Sequence, residues 1–257
     1  MPEEAIALPL NAFLNGSSAE KLEVLKGLLG KAAECRARAD ARACPWPESE
    51  HASEAPRPWE EFSAIIGETL FSAIEEIVRQ EPPSELREFA GDIMAHIWHP
   101  CAIGRLLEKH ERRGDTVLTK PPLDIYRDLS GIGTEAAAKA LMWLWGCKWD
   151  ADIAGALAMC RGENVQNFLM EQARAHPNSH VRATCIAGVT HPITPEKAAF
   201  LVERLENGSY NEQYYSLYMI SELRVARAAE ALAAFRRKTS DRAFTGLIDE
   251  ALPRLCL

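Results

Sequence analysis

The chain has no CxxC pair, no GxSxG elbow and no lysine-bearing glycine loop for phosphate. Its nearest approach to such a loop, "SGIGTE" at 130–135, lacks the lysine and the preceding strand that a phosphate cradle needs. Seven cysteines at 35, 44, 101, 147, 160, 185 and 256 are scattered and odd in number, which suits reduced thiols better than a disulfide framework. The longest dense apolar run, "ALMWLWG" at 140–146, is far short of a membrane span. The first residues, "MPEEAIALPL", carry acids where a secretory signal would place Lys or Arg. Long alternating β-branched runs are missing too, and with them the usual signal for strands. A basic arm is also missing. Net charge is −8, residues 1–180 hold 19 basic against 28 acidic side chains, and residues 181–257 hold 10 against 9. Phosphate binding needs concentrated Lys and Arg, so this balance argues against a nucleic-acid partner. These absences predict a cytoplasmic protein with no membrane association, no cofactor, no metal and no catalytic set.

What is present is helix. Ala, Leu, Glu and Arg dominate 257 residues, enough for one large or two small cores. Ser17 and Glu20 have capping-box spacing ahead of a stripe of Leu22, Leu25, Leu29 and Ala32. Four prolines within 44–59 predict an extended connector. From residue 60 onward, helices of 10–20 residues alternate with short breaks, which places consecutive helices antiparallel. "WEEFSAIIGETLFSAIEEIVRQ" reads as one helix ending at Pro82-Pro83, and "SELREFAGDIMAHIWH" follows it directly. Later helices are expected near 180–190, 195–207, 211–223, 225–238 and 240–253. The organisation expected is a helical cap over 1–43, a connector over 44–59 and a helical repeat domain over 60–257.

Several helices share an i, i+4, i+8 apolar stripe: Leu86, Ala90 and Met94; Val181, Cys185 and Val189; Tyr215, Met219 and Leu223; Phe244, Ile248 and Leu252. Arg follows the first stripe residue in two of them, as Arg87 and Arg182, whereas Ser216 and Thr245 stand there in the others. The starts at 181, 215 and 244 give a period near thirty, as expected of stacked helical pairs. "NSHVRATCIAGV" and "PSELREFAGDIM" resemble the HEAT/armadillo-like helical repeat, in which a turn residue precedes a Val-Arg pair and then a small residue. The resemblance implies an all-α fold, a right-handed α-solenoid of stacked HEAT-like hairpins, and commonly a protein-binding role.

Under this reading "HPNSHVRATCIAGVTHP" (176–192) is a turn and inner helix. Asn178 or Ser179 caps it and Cys185 is a small core residue; the stretch is not a metal site, because a Pro-Asn-Ser turn separates His176 from His180. "HIWHPC" offers His96, His99 and Cys101 to a metal, but its bland reading is a helix end stopped by Pro100. "LMWLWGCKWD" holds Trp143, Trp145 and Trp149 beside Asp150 and Asp152, either core filler or the aromatic-plus-Asp groove of HEAT-like alkylpurine DNA glycosylases. "RRKTSDR" (236–242) reads as a solvated helix end. "YNEQYYSLY" gathers four of the five tyrosines. The repeat register aligns Tyr214 and Tyr218 with His180 and Thr184, giving four side chains on one face as the expected partner-binding site.

The function expected is a non-enzymatic protein-binding module, of the kind by which a bacterial immunity or inhibitor protein neutralises a basic toxin or enzyme. The alternatives are a HEAT-like DNA alkylation-repair glycosylase and a scaffold or adaptor.

Overall fold

The computed structural model describes residues 10, 12–42, 56–114, 122–146, 148–160 and 162–255. Among them there is helix and no strand, so the protein is all-α. No helix of the described residues is long and apolar enough to cross a membrane. Most of the proline-rich stretch expected as a connector lies outside the described residues, and only 56–59 of it can be followed. The chain divides into two compact units, 1–140 and 141–257, described separately here.

In the first unit the order is α1 (Ser18–Arg42), α2 (Pro58–Ile66), α3 (Glu68–Gln80), α4 (Glu85–His96), a 3-10 turn (Pro100–Ala102), α5 (Ile103–Gly114) and α6 (Leu123–Ile132). The following helix, α7 (Glu135–Trp143), crosses the division between the units. The expected capping box starts α1: the Ser17 backbone N–H and hydroxyl both reach Glu20 Oε2, at 2.7 and 2.8 Å. Its buried stripe is Leu25, Leu28, Ala32 and Cys35, with Leu22 and Leu29 at the margins, so the inward face is rotated from the one expected. That face packs on α2 and α4. The single helix expected over 59–80 is two. Gly67 at φ +85° breaks it, a conformation that glycine adopts without the Cβ penalty of other residues.

Leu86, Ala90 and Met94 of α4 are all buried, as the stripe predicted. Ser84 caps the helix by accepting the Arg87 N–H, and Pro100 ends the segment beyond it. Trp98, at φ +56°, lays its indole against Gly131 of α6 so closely that a Cβ there would stand 2.4 Å from the ring. Arg36 of α1 sits over the same indole and reaches Asp128 of α6 at 2.5 Å, joining three helices at one point.

The second unit continues with α8 (Asp150–Ala158), α9 (Glu163–Ala175), α10 (Ser179–Ala187), α11 (Pro195–Asn207), α12 (Tyr210–Glu222), a 3-10 turn (Ala226–Ala228), α13 (Ala229–Lys238) and α14 (Arg242–Leu255). The even-numbered helices form a row, α8 on α10, α10 on α12 and α12 on α14. The others pack beside their chain neighbours, α9 against α8 and α10, α11 against α12, and α13 against α14. A burial pattern repeats along the row. Ala154, Ala156, Leu157 and Cys160 are buried; 29 residues on, so are Ala183, Cys185, Ile186 and Val189; 34 further, Leu217, Met219, Ile220 and Leu223. The first two places are small in α8 and α10 (Ala or Cys), which lets backbones approach closely, whereas α12 fills them with Leu217 and Met219. The last helix, packed on α12 and α13, departs from the pattern: its buried residues Phe244, Ile248, Ala251 and Leu255 make one stripe.

Two members of the expected stripes fall elsewhere. Tyr215 is 38% exposed, and the buried place beside it belongs to Ser216; Leu252 is half-buried while Ala251 is covered. The short side chain of Ser216 fits between packed helices where a tyrosine ring is too large.

Candidate functional site

The turn into α10 is built by polar side chains. Asn178 Oδ1 accepts the His180 N–H at 2.8 Å, a helix cap from the stretch expected to supply one. His176 Nδ1 accepts the Asn178 N–H at 3.1 Å, so its proton sits on Nε2, which donates to Asp150 Oδ2 at 3.2 Å. The other oxygen of Asp150 accepts the Gly146 N–H at 2.8 Å. The ring of Trp145 stands edge-on to Phe168 and His176. Asp150, one of the two carboxylates beside the tryptophans, is therefore buried and bound on both oxygens, and Trp145 is packed against its histidine partner, while Asp152 is half-buried and Trp143 exposed. At the far end of α10, Gln166 donates to Gly188 O at 3.0 Å and accepts from Thr190 N at 2.8 Å. Lys197 closes the same turn by donating to Thr190 O and Pro192 O.

Glu212 is the electrostatic centre of the row. Its side chain is 2% exposed and accepts two parallel bonds from Arg182, each 3.0 Å, from Nε to Oε1 and from Nη2 to Oε2. Arg204 of α11 lies 3.6 Å away, and Ser209 N donates to Oε2 at 2.9 Å. Arg182 also donates to His176 O and Pro177 O. Burial alone would raise the pKa of this carboxyl, but the bonds from Arg182 and Ser209 outweigh it and hold the value at about 2. One carboxylate thus fixes α10, α11 and α12 relative to each other. Arg182 stood out in the sequence; its partner, thirty residues further on, did not.

This clamp turns the opposite side of α12 outward. At 100° per residue, Tyr210, Tyr214 and Tyr218 lie away from Glu212, Ser216 and Met219, with Tyr215 at the edge of the same arc. Tyr210 is 53% exposed, while Tyr214 and Tyr218 are half-buried. The rings of Tyr210 and Tyr214 lean on Phe244 of α14, with centroids 5.0 and 6.4 Å away, and Tyr215 stands edge-on to Tyr214 at 5.8 Å. The 34-residue offset that superposes the buried pattern also aligns His180 with Tyr214 and Thr184 with Tyr218. His180 is exposed; Thr184 is half-buried and donates to His180 O at 3.0 Å. The four expected residues fall on the outward arcs of two adjacent helices. Tyr210 and Tyr215 extend the set; the first precedes the assumed helix start, and the second was assigned inward.

In the first unit His96 and His99 do not converge. His99 instead meets Cys101, its Nδ1 3.0 Å from Sγ, and Glu75 of α3, whose Oε1 lies 3.9 Å from Nε2. Burial pushes the Cys101 thiol up to about 12, with the charge of Glu75 adding to it, and burial lowers the His99 imidazole. With no ion bound both are neutral near pH 7, the opposite of an activated Cys–His nucleophile. In the basic run Arg237 and Lys238 are exposed at the end of α13, whereas Arg236 pairs with Asp249 at 2.9 and 3.1 Å.

Comparison of the chain with protein-family models, curated proteins and solved structures finds no match to any of them.

Proposed function

We propose that this protein is a non-enzymatic protein-binding module that engages a protein partner through the outward face of α10 and α12. The observation that carries the reading is the tyrosine-rich arc of α12, continued by His180 and Thr184 on α10 and backed by the Arg182–Glu212 clamp. Tyrosine supplies contact area at small cost in side-chain entropy and keeps a hydroxyl for pairing, so such a surface suits hot-spot binding. The backing is rigid, since the face is set by a bidentate ion pair and a repeated core, which reduces the ordering cost of association. The row of paired helices suits a right-handed α-solenoid of HEAT-like hairpins over the second unit.

Within this class the reading is a bacterial cytoplasmic inhibitor of the immunity type. The net charge of −8 suits a basic toxin or enzyme, whose association it would accelerate by long-range attraction.

The test uses a double variant, His180→Ala with Tyr210→Ala, at two exposed positions; because the Tyr210 ring leans on Phe244, the melting temperature of the variant is followed alongside. A partner recovered from the native host with the wild-type chain is purified, and its affinity for both proteins is measured by calorimetry. Binding to the variant is expected to weaken about thirtyfold, equivalent to ~2 kcal/mol of hot-spot loss. Equal affinity, with helicity unchanged, would place the interface elsewhere.

A further inference from the structure

Among the described residues, one group of three or more His, Cys, Asp or Glu side chains brings its donor atoms together: Glu75, His99 and Cys101, all within 4.8 Å of one another. They come from two segments. Glu75 projects from the middle of α3, and the His99-Pro100-Cys101 turn follows α4. Pro100 and the 3-10 turn hold the two nearer donors on one side, and the Cys101 N–H is directed at His99 Nδ1 at 3.4 Å. The imidazole is itself fixed. Trp59 and Phe71 stand edge-on to it at 5.5 and 5.3 Å, and it is almost fully buried.

We infer that Glu75, His99 and Cys101 form a zinc-type divalent metal site. Zinc takes one carboxylate oxygen, one imidazole nitrogen and one thiolate sulfur at roughly 2.0–2.3 Å, which sets tetrahedral donor pairs on the order of 3.5 Å apart. With one donor atom taken from each residue, the three lie within 4.8 Å of one another and His99 Nδ1 stands 3.0 Å from Cys101 Sγ, so a rotation of the Glu75 side chain brings its carboxylate in to complete the set. A mixed N, S and O donor set selects a borderline ion such as Zn2+ over hard cations, which prefer oxygen alone. On binding, Cys101 releases its thiol proton to solvent. Glu75 exchanges its ion pair with Arg79 for the metal.

Cys101 also lines a cleft of about 150 Å3 bordered by Arg87, Arg105 and Arg112 together with Glu88 and Glu108. A site with three protein ligands leaves a fourth position for water or an anion. The cleft gives that ligand a route in, and its guanidinium groups favour an anion even while paired with neighbouring carboxylates.

Cobalt(II) serves as the probe, titrated into untagged, chelator-treated, full-length protein. One equivalent is expected to give intense tetrahedral d–d absorption and a thiolate-to-cobalt charge-transfer band, both abolished by stoichiometric Zn2+. Cys101→Ser should remove the charge-transfer band, and Glu75→Gln should weaken binding at least about tenfold while keeping the band. Cys185→Ser, at a buried thiol of the second unit, should change neither. Circular dichroism of each variant separates metal loss from misfolding, and Glu75, partly exposed, gives a variant that spares the core. A charge-transfer band that persists in Cys101→Ser, or cobalt bound without any such band in the wild type, would overturn the assignment.

Discussion

Glu212→Gln is expected to destabilise the second unit by about 3 kcal/mol at neutral pH, and to lose that deficit in acid. Gln keeps the shape and can still accept the Ser209 N–H, so the loss falls on the ion pair. It takes from Arg182 its bidentate carboxylate, whereas Arg204 keeps Glu203, so the cost falls on Arg182, as expected when one partner of a buried pair is removed. The pH dependence follows from linkage. The folded carboxyl titrates at about 2, below the ordinary 4.5 of a free glutamate, so its stabilisation is fully present above about 4.5 and is lost as pH falls toward 2. At ~1.4 kcal/mol per pKa unit, that difference amounts to about 3 kcal/mol. Urea denaturation of both proteins at a series of pH values between 2 and 7 checks it. Curves separated by the same amount at every pH would deny Glu212 its role in the clamp.

Ile220→Ala is expected to cost about 2–5 kcal/mol, whereas Tyr215→Ala should change stability by less than ~0.5 kcal/mol. The contrast is diagnostic because the i, i+4, i+8 stripe read from sequence puts Tyr215 inside and says nothing of Ile220. In the structure Ile220 is fully buried as the third member of the repeated pattern, while Tyr215 lies at the edge of the exposed arc. Thermal melts of the two variants side by side decide between the registers. Strong loss at Tyr215 with little at Ile220 would restore the register read from the sequence.

Helix boundaries were the most legible feature. The helix expected over 195–207 is Pro195–Asn207, and the one expected over 211–223 is Tyr210–Glu222. Each starts at a proline or a capping residue, and these local signals act through backbone chemistry that tertiary packing does not override. Gly67 was missed because apolar periodicity runs through "SAIIGETLF" without a gap; only its backbone angle reveals the break. The error at Tyr215 has another cause. An amphipathic stripe fixes the inward face to about one residue, and a tyrosine counts as apolar until its hydroxyl has to be placed.

Long-range pairing was the least legible. Arg182 gave no hint of Glu212, and His99 and Cys101 gave none of Glu75, which lies 24 residues before His99 on a different helix. His96 was the obvious third donor by spacing, since i and i+3 share a helix face. His99 lies beyond the end of α4, however, where that spacing no longer applies. The four residues expected on the binding face were nevertheless chosen by an offset of 34, which the burial pattern of α10 and α12 shares. Both Tyr210 and Tyr214 lean on Phe244, and Tyr210 is the more exposed of the two and so the more available contact.

The most direct measurement is hydroxyl-radical footprinting of the protein alone and bound to its partner, read residue by residue by mass spectrometry. Tyrosine and histidine report oxidation well, and Trp143 and Met159, 64% and 54% exposed, serve as internal controls on the second unit. His180, Tyr210, Tyr214 and Tyr218 are expected to become protected in the complex while Trp143 and Met159 keep their rates. Protection of the two controls, with the tyrosine arc oxidised as fast as in the free protein, would contradict the proposed binding face.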